Sequence, residues 1–127
     1  ELAPIPEAEL RACRLGFRAR YIAETARFLA ARPGWLEETE ALPYVAAKER
    51  LCELPGVGEK VADCVLLFGA VRMEAFPVDV RIRRAMIDLC FGGRPASDRR
   101  IREEAARRWG PHAGVAQQHL YMAARSK

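Results

Sequence analysis

Apolar residues recur every three to four positions along most of the chain, which is the spacing of one face of an α-helix. Alternation of apolar and polar residues, the pattern of a half-buried β-strand, is nearly absent. Proline and glycine divide the helical pattern into segments. The predicted helices run from Pro6 to Gly16, over about 17–31 and 35–41, from Pro43 to about 53, through 61–68 and 82–90, from Ser97 to about 109, and through 115–123. The pattern therefore predicts an all-α domain of six to eight short helices.

Two polar residues stand where predicted helices begin. Ser97 precedes a charged helix, and Asp79 lies in the stretch FPVDVRI, just before an apolar helical pattern. A hydroxyl or carboxylate at such a position accepts a hydrogen bond from one of the free N–H groups of the first turn. We expect both residues to be N-caps, and we expect Ile101, Ala105 and Trp109 to face the core.

Length and composition limit the class of protein. At 127 residues the chain is long enough for one domain with its own core, and no apolar run approaches the roughly 20 residues of a membrane span. The net charge of +4 suits a nucleic-acid partner without requiring one. The chain starts at Glu1, and nothing in it has the pattern of a signal or transit peptide. We expect a protein that is neither secreted nor bound to a membrane, and a piece of a longer chain.

The cysteines and histidines do not have the spacing of a metal site. The four cysteines lie far apart in sequence, so the chain has no C-x-x-C motif, and it has only two histidines. A zinc site is not expected, and disulfides are not implied without secretory features. We expect four reduced and mostly buried thiols and two structural histidines; the residues are Cys13, Cys52, Cys64, Cys90, His112 and His119.

The stretch LPGVG joins two predicted helices and indicates a helix-hairpin-helix. Glycines permit unusual φ values there and let a ligand approach bare backbone. Unpaired N–H groups at the start of the second helix point outward, and a phosphate binds well at such a position. Phosphate contacts carry no sequence information. The turn alone leaves two readings open: a structural helical hairpin, or a clamp on the DNA backbone without catalysis.

Lys60 follows this turn directly and is the only one of three lysines beside a glycine turn. It shares a helix face with Cys64, four positions later. Asp79 follows Lys60 after nineteen residues. The N-cap role of Asp79 can coexist with a role beside Lys60, so these residues reduce the weight of both readings of the turn.

Together, LPGVGEKVADC (54–64) and FPVDVRI (76–82) resemble the helix-hairpin-helix, Gly/Pro-rich loop and aspartate motif of the base-excision DNA glycosylases. The 8-oxoguanine DNA glycosylase/AP lyases are the most similar branch. LGFRARYIAETAR (15–27) and WGPHAGVAQQHLY (109–121) also resemble segments of that branch, in the same order, so the resemblance covers about 9–125. It implies a multi-helix DNA glycosylase domain over 1–127 with the hairpin at about 44–70.

The resemblance also implies roles for individual residues. Lys60 would be the nucleophile and Asp79 the carboxylate that assists it. The DNA backbone would be held by Gly56, Gly58 and Val61; Arg81 stands where the family often has a different phosphate-binding residue, and a guanidinium can take that role. The damaged base would be recognised by Gln117, Tyr121 and Cys64. Phe17 would be the wedge that fills the emptied base stack, and Arg18 would contact the base opposite the lesion. From residue type alone, Cys64 and Phe17 fit a core equally well, and Gln117 and Tyr121 fit a solvated helix face.

The same resemblance also implies what the protein needs as a cofactor. No cofactor is required, although the backbone carbonyls of Cys52, Leu54 and Val57 could hold a structural monovalent or divalent cation. Relatives with an iron-sulfur cluster carry a four-cysteine loop after this region, and none is present. The family also has an N-terminal β-rich domain that helps to tell 8-oxoguanine from guanine. That domain is absent from this sequence, so we expect either a piece of a longer chain or a compact variant.

The implied function is base excision repair. A bifunctional DNA glycosylase and AP lyase would remove 8-oxoguanine from duplex DNA through a lysine Schiff base and β-elimination. The expected partner is double-stranded DNA with a damaged base or an abasic site. The protein is expected to be a monomer. It is expected in the cytoplasm or nucleoid if bacterial and in the nucleus if eukaryotic. A non-catalytic helix-hairpin-helix module, a glycosylase for another damaged base and a helical interaction domain without a DNA role remain as alternatives.

Overall fold

A computed structural model describes residues 2–125, and these residues form eight α-helices and no β-strand. The helices are α1 (Glu7–Arg11), α2 (Arg18–Ala30), α3 (Trp35–Glu40), α4 (Tyr44–Leu51), α5 (Glu59–Cys64), α6 (Val80–Cys90), α7 (Asp98–Trp109) and α8 (Ala113–Arg125). A π-helical turn (Val65–Gly69) continues α5, and a short 3-10 turn (Gly110–His112) precedes α8. The all-α prediction is confirmed. No helix in the described part is long and apolar enough to cross a membrane.

The first helix is shorter than predicted. It was expected to reach Gly16, but α1 ends at Arg11. Beyond it the N–H of Cys13 donates to Leu10 O at 3.1 Å, an i to i−3 bond that tightens the chain, and Arg14 takes a left-handed φ of 62°. The helix therefore stops before the glycine because the backbone turns at Arg14.

Contacts divide the chain into two compact units, one up to Gly58 and the other from Glu59 onward. In the first unit α1 and α2 enclose a small cluster of Leu10, Ala19 and Ala23. Tyr21 of α2 is 39% exposed, since the close approach of the two helices is made by the small alanines.

In the second unit α6 packs against α7 and α8. The core consists of Phe76, Val78, Ile82, Met86, Ile101, Ala105 and Ala113. Ser97 is the N-cap of α7, as predicted: its hydroxyl accepts a hydrogen bond from the N–H of Arg100 at 3.2 Å. Trp109 packs half-buried against this core and stacks on Phe76, with ring centroids 6.1 Å apart. The predicted inward face of α7 is confirmed.

The second helix of the hairpin differs from its apolar pattern. Ala62 and Leu66 are buried, but Val61, Val65 and Phe68 are exposed. The π-helical turn widens the helix after Cys64, so a single 3.6-residue period does not describe the whole segment. Sequence periodicity alone therefore overestimated how many of these apolar residues enter the core.

The N-terminus of α8 approaches the loop before α6 without an intervening side chain. The N–H of Gly114 donates to Met73 O at 2.6 Å. A Cβ at position 114 would lie 2.8 Å from that oxygen and 2.9 Å from Ala75 O. Only glycine allows this approach, because a backbone oxygen cannot move aside as a flexible side chain can.

Val71 has a strained backbone. Its φ is 53°, a left-handed conformation that β-branched residues rarely adopt, and its side chain is 64% exposed. We predict that Val71→Asn raises the free energy of unfolding by about 1 kcal/mol, because asparagine tolerates this conformation. Thermal unfolding measures the gain. Val45→Asn is the matched control, since Val45 is 65% exposed but lies within α4; a gain there as large as at Val71 would contradict the strain argument.

Candidate active site

Lys60 is the second residue of α5 and its side chain is exposed. Gly58 precedes the helix, and a Cβ there would meet nothing within 4 Å, so the approach to the start of α5 is open. The first N–H groups of a helix have no partner within it. An amine therefore lies beside unpaired N–H groups in an accessible place.

Cys64 lies one turn after Lys60 and is half-buried. Burial is the main cause that raises the pKa of its thiol; the charge of Lys60 acts in the opposite direction, and the carboxylates of Asp63 and Asp79 add to the increase. Lys60 and Asp79 thus both lie within electrostatic reach of the same sulfur atom. The charges of the predicted nucleophile and of the predicted carboxylate therefore both act on one predicted wall of the base pocket.

Asp79 is the N-cap of α6, as predicted. Its Oδ1 accepts a hydrogen bond from the N–H of Ile82 at 2.8 Å, and the side chain is half-buried. This bond fixes the carboxylate at the end of the loop from α5. Arg83, one turn later, makes two hydrogen bonds to Asp98 of α7, at 2.7 and 3.0 Å. These bonds fasten the first turn of α6, and with it Asp79, to α7.

Gln117 is buried in α8, only 5% exposed, so the solvated-face alternative is wrong for this residue. Its Nε2 donates to Pro77 O at 3.0 Å, and its Oε1 accepts from Gln118 Nε2 at 2.6 Å. Pro77 stands two residues before Asp79. The amide predicted to read the base is therefore tied to the loop that carries the predicted carboxylate.

Tyr121 is half-buried in α8, one turn beyond Gln117. The guanidinium carbon of Arg81, in the first turn of α6, lies 5.9 Å from the centroid of its ring. Arg81 itself is exposed. The aromatic ring and the cation occupy the same part of the second unit as Asp79, an arrangement that suits a flat, electron-rich base and a phosphate.

The hairpin turn has the backbone that its glycines predict. Gly56 has a φ of +76°, and the N–H of Val57 donates to Leu54 O at 3.1 Å. A carbonyl oxygen has a second lone pair, so this bond leaves Leu54 O able to accept a further ligand. A cation held by Cys52, Leu54 and Val57 stays a prediction. The described residues contain no group of three histidine, cysteine, aspartate or glutamate side chains that could hold a metal ion.

Adding a side chain at Gly56 would disturb this turn. A Cβ would lie within 2.5 to 2.9 Å of three ring carbons of Tyr21, and the φ is left-handed. We predict that Gly56→Ala lowers the free energy of unfolding by about 2 kcal/mol or more. Gly34 has the same sign of φ but open space where a Cβ would lie, so Gly34→Ala should lower the free energy of unfolding by less. Gly58→Ala should lower it least. Equal melting temperatures for all three variants would contradict the clash with Tyr21.

Phe17 and Arg18 lie at the start of α2, in the first unit. Phe17 is 72% exposed and its ring meets Tyr21 edge-on, with centroids 6.2 Å apart. Arg18 is exposed and its Nε donates to Leu15 O at 3.3 Å. The core alternative is wrong for Phe17. The roles of Phe17 as the wedge and of Arg18 as the contact to the opposite base stay predictions.

Two charged residues near Lys60 were missed by sequence reasoning. Asp63 in α5 is fully buried, and Arg102 in α7 lies 3.6 Å from it, measured from Nε to Oδ2. The acids Glu59 and Asp63 are four positions apart, which indicates one helix face and a need for a cation. The sequence contains eighteen arginines, and no local pattern indicates that Arg102 is the one that pairs with these acids.

Comparison with known proteins gives a consistent result. A "Probable N-glycosylase/DNA lyase" of Methanothermobacter thermautotrophicus is 46% identical over 92% of this chain, and the match covers 37% of that protein. The N-glycosylase/DNA lyase OGG1 of Arabidopsis thaliana is 34% identical over 96% of the chain and 36% of its own length. The chain thus spans little more than a third of these curated relatives.

A solved structure is similar over nearly the whole chain. The 8-oxoguanine glycosylase/lyase of Clostridium acetobutylicum, in complex with double-stranded DNA containing cytosine opposite 8-oxoguanine, superposes with a TM-score of 0.90. The two sequences are 34% identical. The match covers 98% of this chain and 43% of the Clostridium acetobutylicum chain. The family model for HhH-GPD superfamily base excision DNA repair proteins matches residues 1–111. The chain therefore belongs to the HhH-GPD superfamily of base excision DNA repair proteins.

Proposed function

We propose that this chain is the catalytic part of a bifunctional DNA glycosylase and AP lyase that removes 8-oxoguanine from duplex DNA. The observation that carries the proposal is that Lys60 and Asp79, on different helices, both lie close enough to the Cys64 thiol for their charges to act on it. The named activities of the relatives support it, and so does the DNA bound by the Clostridium acetobutylicum enzyme. A module that only holds DNA needs the glycine turn, but neither the lysine nor the aspartate.

Lys60 is the nucleophile of the proposed reaction. The lone pair of its neutral Nζ forms a bond to C1′ of the sugar, and the bond from C1′ to the base breaks. The electron pair of that bond leaves with the base, which takes up a proton. Asp79 stabilises the positive charge that grows on the sugar as the base leaves, because a fixed and partly buried carboxylate acts strongly on such charge. The hydrogen bond that Asp79 accepts from the N–H of Ile82 holds the carboxylate in place for this role.

Strand cleavage follows from the same covalent bond. The C1′–O4′ bond then breaks and its electron pair leaves on the ring oxygen, which takes up a proton; loss of the remaining amine proton leaves an imine between Nζ and C1′. The imine makes the C2′ proton acidic; after its removal the electron pair forms a double bond and the 3′ phosphate leaves. Water then hydrolyses the imine and frees Lys60. One side chain therefore serves both base removal and strand nicking, and neither step needs a cofactor.

Recognition of the base falls to other residues of the same unit. A base inside a duplex must be extruded before an amine can reach its sugar, at a cost of a few kcal/mol. Stacking on Tyr121, contact with Cys64 and hydrogen bonds from Gln117 offset this cost. Gln117 is buried, and its amide nitrogen is held by Pro77 O, so its orientation is fixed before DNA arrives.

Backbone contacts complete the proposed DNA site. Gly56, Gly58 and the N–H of Val61 hold phosphates at the hairpin, and Arg81 offers its exposed guanidinium to another. A cation at the carbonyls of Cys52, Leu54 and Val57 would stabilise the turn without entering the chemistry. Phe17 fills the emptied stack and Arg18 contacts the base opposite the lesion; these two roles are proposed from the family resemblance and from their exposure.

The test is incubation with three duplexes, one with 8-oxoguanine opposite cytosine, one with an abasic site and one undamaged, each with and without borohydride. Borohydride reduces the imine to a stable amine, so we expect a covalent complex with the first two duplexes and none with the third. Trapping on the abasic duplex alone would overturn the glycosylase half of the proposal. Salt-sensitive binding without any trapping would identify a non-catalytic DNA-binding module.

A further inference from the structure

The side chain of Gln117 is held at both ends of its amide. Its Nε2 donates to Pro77 O at 3.0 Å, and its Oε1 accepts from Gln118 Nε2 at 2.6 Å. Only 5% of Gln117 is exposed. The amide that we assign to base recognition therefore lies almost entirely inside the protein, in a chain of three polar groups from α8 and the loop before α6.

The direction of these bonds follows from the carbonyl group at one end. Pro77 O can only accept, so Gln117 must present its NH₂ group to it. The oxygen of the same amide then lies on the other side and accepts from the NH₂ group of Gln118. A Gln117 amide turned over by 180° would set its oxygen against Pro77 O and its NH₂ group against that of Gln118, so both bonds would be lost.

The Gln118 side chain is bent toward this buried amide. Adjacent residues of a helix do not face each other, so the bond between Gln117 and Gln118 is not one that helix geometry makes by default. Gln118 is only partly exposed, whereas the next residue, His119, is exposed. Holding a long polar side chain in one conformation costs entropy, which the hydrogen bond to a buried oxygen offsets. Gln118 therefore serves the amide of Gln117 and not the solvated face of α8.

Each end of the Gln117 amide keeps one hydrogen-bonding position unused among the described residues. A primary amide has two N–H groups and an oxygen with two lone pairs, and each end makes one bond here. The remaining N–H and lone pair can pair with an acceptor and a donor that are neighbours on a base. A guanine-type base offers O6 as acceptor beside N1–H as donor, whereas an adenine-type base offers the reverse order, a donor at N6 beside the acceptor N1. For a base stacked in one orientation, a fixed amide fits one order and an amide that turns over fits both.

We propose that Gln118 is a positioning residue for base recognition, which keeps the Gln117 amide from turning over and so favours the acceptor and donor order of guanine over that of adenine. The inference rests on the proposed function, because it assigns Gln118 to the same site. Gln118 acts through Gln117 and not on the base. An abasic site holds no base, so strand cleavage there does not depend on Gln118.

The test compares single-turnover base removal from two duplexes, one with 8-oxoguanine and one with 8-oxoadenine, each opposite cytosine. Borohydride trapping on an abasic duplex is measured beside it. Gln118→Met keeps the length of the side chain but cannot donate a hydrogen bond. We expect it to lower the ratio of the 8-oxoguanine rate to the 8-oxoadenine rate about tenfold, with trapping on abasic DNA unchanged.

Gln118→Glu should lower this ratio further. A carboxylate can only accept, so it favours the turned amide, whose NH₂ group it would bind with a charge-assisted hydrogen bond. The two duplexes carry the same charge, so a general effect of the added carboxylate on DNA binding cancels in the ratio.

His119→Met is the matched control. It changes the next residue of α8, which is exposed and is not among the proposed DNA-binding residues. The ratio of rates and the trapping should both match the wild type.

Two results would overturn the inference alone. One is an unchanged ratio of rates in folded Gln118→Met. The other is a loss of trapping on abasic DNA as large as the loss of base removal in that variant, which would indicate a purely structural role. If Gln118→Met does not fold, an unchanged ratio in Gln118→Glu has the same force. A wild-type chain that removes no 8-oxoguanine overturns the proposed function and this inference together.

Discussion

Lys60→Gln is expected to abolish base removal, strand nicking and borohydride trapping, with losses of about 10⁴-fold or more. Glutamine has no nucleophilic amine, so no bond to C1′ forms and both chemical steps are lost together. Lys60 is exposed at the start of α5 and makes no part of either apolar cluster, so the variant should fold normally. Gel analysis of product and of trapped complex measures the loss, and a binding assay with the same duplex should show affinity close to that of the wild type.

Lys48→Gln is the matched control for this experiment. It removes the same charge from α4, where Lys48 lies 5.8 Å from the ring centroid of Tyr44. Trapping should persist in that variant. If a covalent complex still formed with Lys60→Gln, another amine would be the nucleophile and the assignment of Lys60 would be wrong.

Asp79→Asn is expected to slow base removal by about 10²- to 10³-fold with little change in stability. Asparagine caps a helix as well as aspartate does, so the hydrogen bond from the N–H of Ile82 can be kept while the negative charge is lost. Asp79→Ala removes both, and should lose about 1 kcal/mol of stability in addition to the activity. Single-turnover base release and thermal unfolding separate the two effects.

Ser97→Ala provides the comparison for the cap alone. Ser97 caps α7 through the N–H of Arg100 and is not among the proposed DNA-binding residues, so we expect a similar loss of stability with base removal near the wild-type rate. If Asp79→Asn were as active as the wild type, Asp79 would be a structural cap and its proposed role in stabilising charge on the sugar would fail.

The fold could be predicted where local signals decide it. Helical periodicity, proline and glycine positions and the caps at Asp79 and Ser97 gave the helices to within a few residues, because these features act over one or two turns. The end of α1 could not be predicted, since Arg14 takes a conformation that its residue type disfavours. Nor could the exposure of Phe68, which depends on the π-helical turn after α5.

The candidate site, like the fold, could be predicted only where local signals decide it. Lys60 and Cys64 could be placed on one face from their spacing, and the resemblance named Asp79 and Gln117. The hydrogen bond of Gln117 to Pro77 O joins residues forty positions apart, and no local pattern encodes such a contact. Arg102 was missed for the same reason: its partners lie on another helix, and a buried ion pair leaves only a common charged residue in the sequence.

The two bonds from α8 to the loop before α6 bear on how this loop can vary in length. The N–H of Gly114 donates to Met73 O and the Nε2 of Gln117 donates to Pro77 O, so the last residues before Asp79 are fastened to α8. Insertions and deletions between Gly69 and Met73 should therefore leave the carboxylate in place, whereas one residue more or less between Met73 and Asp79 should displace it. The number of residues between the amine and the carboxylate can therefore change in the first part of this loop, while α8 keeps the last part, which carries the carboxylate, in its place.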